Sequence, residues 1–169
     1  MHPLLGRKQL LLKRLVYDRL TILQGNPKSL KMVPARNFDL LERFTTMFPG
    51  KNALSEKTDG KWHFYTSEDY SQLSHQFALG LLEMGFRKGD KIMTVTNNRP
   101  QWNFVDMGMS MAGLIHVPVY TSMNAEEYGY IMDHSDARMV LVSDQKLFDL
   151  INPEVQKSKE VAHIFTFDA

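Results

Sequence analysis

Cysteine is absent from all 169 residues. That excludes disulfide cross-links, a thiolate nucleophile and any cysteine-based zinc site. It fits a reducing compartment, and the expected location is cytoplasmic, with membrane association as a further reading. Long apolar runs are also missing, since no stretch approaches the roughly 20 residues of a membrane span. A secretory leader is not expected either, because basic residues interrupt the early apolar run and no small-residue cleavage site follows. A transit peptide shares that basic, acid-poor character and stays open. No basic stripe with interleaved aromatics is present, so nucleic acid is not an expected partner. Internal repeats and low-complexity tracts are lacking as well.

What is there has the balance of one globular domain, with 43% hydrophobic and 23% charged residues. The net charge of +1 hides an asymmetry. Residues 1–34 carry Arg7, Lys8, Lys13, Arg14, Arg19, Lys28 and Lys31 against Asp18 alone, and acids outnumber bases in the rest. Residues 1–34 are therefore expected to be a basic extension and linker, and residues 35–169 a separate α/β unit. Leu11, Leu12, Leu15, Val16, Leu20 and Leu23 recur at helical spacing, which predicts a helix over 7–24 that ends at GNPKS. A helix of this kind packs on its own domain or on a twin subunit in a homodimer. Its alternative use is contact with an anionic membrane surface.

After Pro34 the signals become regular. Asn37 is expected to cap a helix, FDLLERFTTMF, that stops at Pro49-Gly50. NALSEK and KWHFYT read as strands of a hairpin turning at Asp59-Gly60. Thr66 or Ser67 should cap a long helix with Tyr70, Leu73, Phe77 and Leu81 as its buried stripe, and Gly85 should end it. Strands KIMTVT, IHVPVY, RMVLVS and IFTF then alternate with helices PQWNFVDMGMSMA and AEEYGYIMDH and a helical stretch near Asp144 to Ile151. That alternation predicts a mostly parallel sheet flanked by helices, with a short N-terminal hairpin.

The candidate chemistry lies in Asn97-Asn98-Arg99-Pro100, followed by Trp102, beyond the C-terminal end of a strand. Parallel α/β sheets bind ligands there, yet the loop has no glycine with which to wrap a phosphate. Pro100 suits the first helical position, and Asn98 or Arg99 suits the cap. The loop therefore reads as framing, with direct ligand contact as the alternative. His116, mid-strand, reads as a packed core histidine without a carboxylate at ligand spacing. Glu126 and Glu127 read as first-turn residues of a helix capped by Thr121, Ser122 or Asn124, and not as an acid–base pair. Asp133-His134 and Ser135-Asp136 read as a helix end and a turn. No serine stands in a nucleophile elbow. The residues thus provide no self-sufficient active site, and no catalytic, cofactor-binding or metal-ligating residue is assigned.

The order of elements resembles the beginning of AMP-forming acyl-CoA synthetases, in the adenylate-forming superfamily that also holds luciferases and peptide-synthetase adenylation domains. The resemblance is carried by TSEDYSQLSHQFALGLLEMGFRKGDKIMTVTNNRPQW, with its Gly85-to-Asp90 turn and Asn-x-Pro-x-Trp element, and by MAGLIHVPVYTSMNAEEYGYIMDHSDARMVLVSD. Pro118 to Thr121 and Tyr130 to Ser135 lean toward the long-chain fatty-acid branch. The resemblance implies a fatty acid, ATP and CoA going to acyl-CoA, AMP and pyrophosphate, with Mg2+. The family's Ser/Thr/Gly-rich phosphate loop has no counterpart up to Ala169, so the expectation is the front part of the large N-terminal domain, inactive alone. Two alternatives stand beside this: an adenylating enzyme for another carboxylate, and a non-catalytic module binding membrane or a partner.

Overall fold

A computed structural model describes residues Pro34–Asp168. The helix expected over 7–24 lies outside the described residues. The order is α1 (Asn37–Met47), β1 (Asn52–Thr58), β2 (Lys61–Thr66), α2 (Ser67–Glu83), β3 (Lys91–Val95), α3 (Pro100–Ala112), β4 (Ile115–Val119), α4 (Ala125–Ser135), β5 (Ala137–Val142), α5 (Gln145–Val155) and β6 (His163–Thr166).

β1 and β2 form the expected hairpin. Its turn places Asp59 and Gly60 at φ 52° and 77°, the double positive φ of a type I′ turn, which matches the twist of the strands. The remaining strands form one parallel sheet in the order β4-β3-β5-β6. Side chains alternate across β3, so Ile92 joins a core with Leu81, Val105, Met109 and Met139, while Met93 and Val95 join one with Tyr128, Met132 and Ile151. Helices α2 and α3 thus cover one face and α4 and α5 the other. The chain runs outward from β3 to β4, then crosses back to β5. The direction reverses between β3 and β5, and the polar loops gather there.

Three local expectations need correction. Helix α1 begins one residue earlier than the expected Asn37 cap, because Asp39 reaches back to accept from the amides of Ala35 (3.0 Å) and Arg36 (2.9 Å). The stripe of α2 is rotated: Leu81 is buried with Ser67, Ser74 and Ala78, while Tyr70, Leu73 and Phe77 are only half-buried. Small residues occupy the seam because the backbone of α2 runs hard against Gly108 of α3. Helix α5 continues to Val155, past the expected Ile151, and takes Pro153 inside it. Thr66 caps α2 through Asp69 as expected, and Gly85 follows its end at φ 87°.

Candidate functional site

Loops Thr96–Arg99 and Ser143–Asp144 meet where the strand order reverses, the usual place for a ligand in such a sheet. Here their own side chains tie them together. The Asn97 amide nitrogen Nδ2 donates to Asp144 Oδ2 at 3.3 Å, and Ser143 Oγ donates to the same oxygen at 2.8 Å. Asp144 also caps α5 by accepting from Leu147 N–H at 3.0 Å. That amide bond first, then the Ser143 hydroxyl, holds its carboxyl below the ordinary range despite partial burial.

Arg99 is the hub of this region. Its side chain, 19% exposed, donates to the Ser143 carbonyl at 2.7 Å, to Asp168 Oδ1 at 2.9 Å and to Gln101 Oε1 at 2.9 Å. Its guanidinium also lies over the Phe167 ring at 5.4 Å. Gln101 passes the connection to Glu56 (3.1 Å), which accepts the Tyr65 hydroxyl at 2.8 Å. Burial, then that bond to Glu56, pushes the Tyr65 phenol up. One arginine therefore joins the ends of β5 and β6, the start of α3 and the hairpin. The sequence marked Arg99 only as a cap residue, because Ser143, Asp168 and Glu56 are all more than 40 positions away.

Of the two cap candidates, Asn98 and Arg99, the structure takes the second. Arg99 occupies the N-cap of α3 without a side-chain cap bond, and Pro100 is the first helical residue. The missing proline N–H removes one donor that a cap would serve. Asn98 is exposed and lines a groove of about 640 Å3 with Leu54, Trp62, Arg99, Trp102 and Asn103. Trp102 is half-buried rather than fully enclosed. Asn98→Ala should therefore change stability by less than about 0.5 kcal/mol, whereas Arg99→Ala should cost about 1–2 kcal/mol through its stranded acceptors. Urea melts of the two variants check both. Arg99→Lys should recover only part of the loss, because an ammonium cannot reproduce the planar fork.

His116 is packed as expected, but it does have a carboxylate partner. Its Nδ1 lies 2.7 Å from Asp106 Oδ1 and its Nε2 2.7 Å from Thr94 Oγ1, with the Trp102 ring 5.2 Å away. Thr94 is 1% exposed, so the three groups form a satisfied polar bridge from β3 through β4 to α3. A polar residue inside each of two apolar runs, Thr94 in KIMTVT and Asp106 in FVDMGM, was the available signal. Asn124 caps α4 by accepting from Glu127 N–H at 3.0 Å, and Glu127 returns a bond to Asn124 N–H at 2.9 Å. Glu126 and Glu127 are thus exposed first-turn acids, and Asp136 is a left-handed cap residue at φ 53°.

The amides that open α5 face the carboxylate of Asp144, and the guanidinium of Arg99 is already engaged. The model of the AMP-binding enzyme family matches residues 41–169. This chain belongs to the AMP-binding enzymes. Among its relatives is 4-hydroxybutyrate–CoA ligase 2 of Metallosphaera sedula, 29% identical over 121 residues, covering 72% of this chain and 21% of that protein. Long-chain-fatty-acid–CoA ligase ACSBG1 of Homo sapiens is 29% identical over 99 residues, covering 59% of this chain and 14% of that protein. The crystal structure of the anthranilate CoA ligase AuaEII with anthranoyl-AMP matches at 25% identity and a TM-score of 0.69, covering 78% of this chain and 25% of that one. This chain thus spans a quarter or less of the length of each.

Proposed function

We infer that this chain is the N-terminal portion of a long-chain fatty-acid–CoA ligase, which joins fatty acid, ATP and CoA into acyl-CoA with release of AMP and pyrophosphate. Mg2+ would accompany the nucleotide. In this reading residues 35–169 are scaffold and supply no catalytic or metal-binding group. Residues 1–34 are a separate basic extension for a membrane surface or a twin subunit, and the enzyme works in the cytoplasm. One observation carries the scaffold reading: the crevice where the strand order reverses is filled by bonds among Asn97, Arg99, Ser143 and Asp144. Clustered N–H donors and a free cation, which pyrophosphate departure needs, are not offered there. The likeness to ACSBG1 supports a long-chain acid. The likeness to the anthranilate ligase supports the second reading, an adenylating enzyme for another carboxylate.

ATP–pyrophosphate exchange tests the scaffold reading. With palmitate and Mg2+, the 169-residue chain should give only background exchange, and fatty-acid-dependent exchange above background would overturn the reading. The substrate is tested separately by acyl-CoA formation in the longer enzyme. Palmitate should be preferred over anthranilate, and the reverse preference would favour the aryl acid.

A further inference from the structure

Every described aspartate but one accepts a hydrogen bond through its side-chain carboxyl. The exception is Asp59, at the tip of the β1–β2 hairpin, whose carboxyl has no hydrogen-bond or ion-pair partner among the described residues. Asp59 is also exposed and stands at φ 52°. Asp136 is the other described non-glycine residue at positive φ, but Lys91 holds its carboxyl at 2.8 Å. Gly60 follows Asp59, and no other aspartate or asparagine of the chain precedes a glycine. Gly60 is exposed as well, and the place where a Cβ would stand has nothing within 4 Å.

We propose that Asp59 is a site of spontaneous isoaspartate formation, which makes this hairpin a substrate for an S-adenosylmethionine-dependent carboxyl methyltransferase. The Gly60 backbone nitrogen attacks Cγ of Asp59. The new C–N bond closes a succinimide ring, and the amide hydrogen leaves with the carboxyl OH as water. Water then reopens the ring. Opening at the former Asp59 peptide carbonyl leaves the chain running through Cβ and Cγ, with the α-carboxyl free to accept a methyl group. No oxidant or reductant enters.

The surroundings favour this position over the other aspartates. A carboxyl held by hydrogen bonds must lose them before it turns onto the next nitrogen, and Asp59 has none to lose. Glycine offers its nitrogen with no side chain in the way. Ring closure also swings the peptide plane between the two residues, and local opening costs least at an exposed loop tip. The extra backbone carbon then spoils the two-residue turn that sets the Thr58–Lys61 and Lys57–Trp62 pairs. This chemistry does not depend on the ligase reading.

The full 169-residue chain is held for weeks at neutral pH and physiological temperature, then cut with a glutamate-specific protease. The peptide over 57–68 should split into two chromatographic peaks of equal mass. Only the newly formed peak should take a labelled methyl group from S-adenosylmethionine through an isoaspartate-specific methyltransferase. Asp59→Asn keeps a preferred turn dipeptide and should take up label several-fold faster, because ammonia leaves more readily than water as the ring closes. Asp59→Glu, whose longer side chain does not close that ring readily, should lose the label. A free peptide over 52–66 is the unfolded reference. If it converts while the full chain does not, the turn keeps nitrogen and carboxyl apart and the proposal fails. It fails equally if label appears first at another aspartate, or if the Asp59→Glu chain is labelled as fast as its parent.

Discussion

Ile92→Ala is expected to lower the unfolding free energy by about 2–5 kcal/mol, the largest effect foreseen for a single side chain here. Ile92 is fully buried in β3, paired with His116 on β4 and Met139 on β5. Above it Leu81 and Phe86 meet Val105, Met109 and Leu114, so truncation opens a hole where the sheet joins α2 and α3. The neighbours have no freedom to collapse, because the strand is held on both sides by ladder bonds. Urea unfolding followed by circular dichroism should show a lower midpoint with an unchanged slope. Ile115→Ala is the control: that side chain is 48% exposed on β4, at the sheet edge, and should cost under about 1 kcal/mol. Equal losses at the two positions would mean that this sheet face is not the core.

Gly108→Val should cost about 3 kcal/mol. A Cβ at position 108 would lie 2.7 Å from the Ser74 carbonyl oxygen and 2.9 Å from Phe77 Cδ1. The first of these atoms is backbone inside α2, so relief requires moving a helix rather than turning a side chain. Gly80, also helical, has nothing within 4 Å of its would-be Cβ. Gly80→Ala should therefore raise stability by about 0.5–1 kcal/mol, because alanine loses less conformational freedom in a helix. Two helical glycines then respond with opposite signs, and thermal melts of the two variants are sufficient to read them. A Gly108→Val chain as stable as its parent would disprove the close packing of α2 on α3.

Neither prediction could have been made from the residues alone. Periodicity placed Gly108 inside a helix and Ile92 inside a strand, but gave no sign of what each one faces. The same gap explains the rotated stripe of α2. Tyr70, Leu73, Phe77 and Leu81 form a valid helical stripe by spacing, yet Ser74 and Ala78 are the residues buried with Leu81, and Gly108 of α3 comes up against the Ser74 carbonyl and Phe77. Asn98 shows the limit for polar residues, since an asparagine before Pro-x-Trp suits a cap by type, while the backbone put Arg99 at that position and turned Asn98 to water.

By itself the sequence determined the order of the elements, the hairpin turn and the parallel α/β class, and it narrowed the caps to Thr66 or Ser67 for α2 and to Thr121, Ser122 or Asn124 for α4. Each of these depends on neighbours within a few positions: the Asp-Gly dipeptide at a turn, a Thr or Asn three residues before its acid, or a period of two or 3.6. The tertiary structure alone decided which loops meet and what closes the space between them. Arg99 with Ser143 and Asp168, Asn97 with Asp144, and Thr94 with His116 are brought together by crossovers of 22 to 69 positions. Short-range pattern carries no record of such pairings, because the sheet order that creates them is set by how two helical layers bury the faces of one sheet.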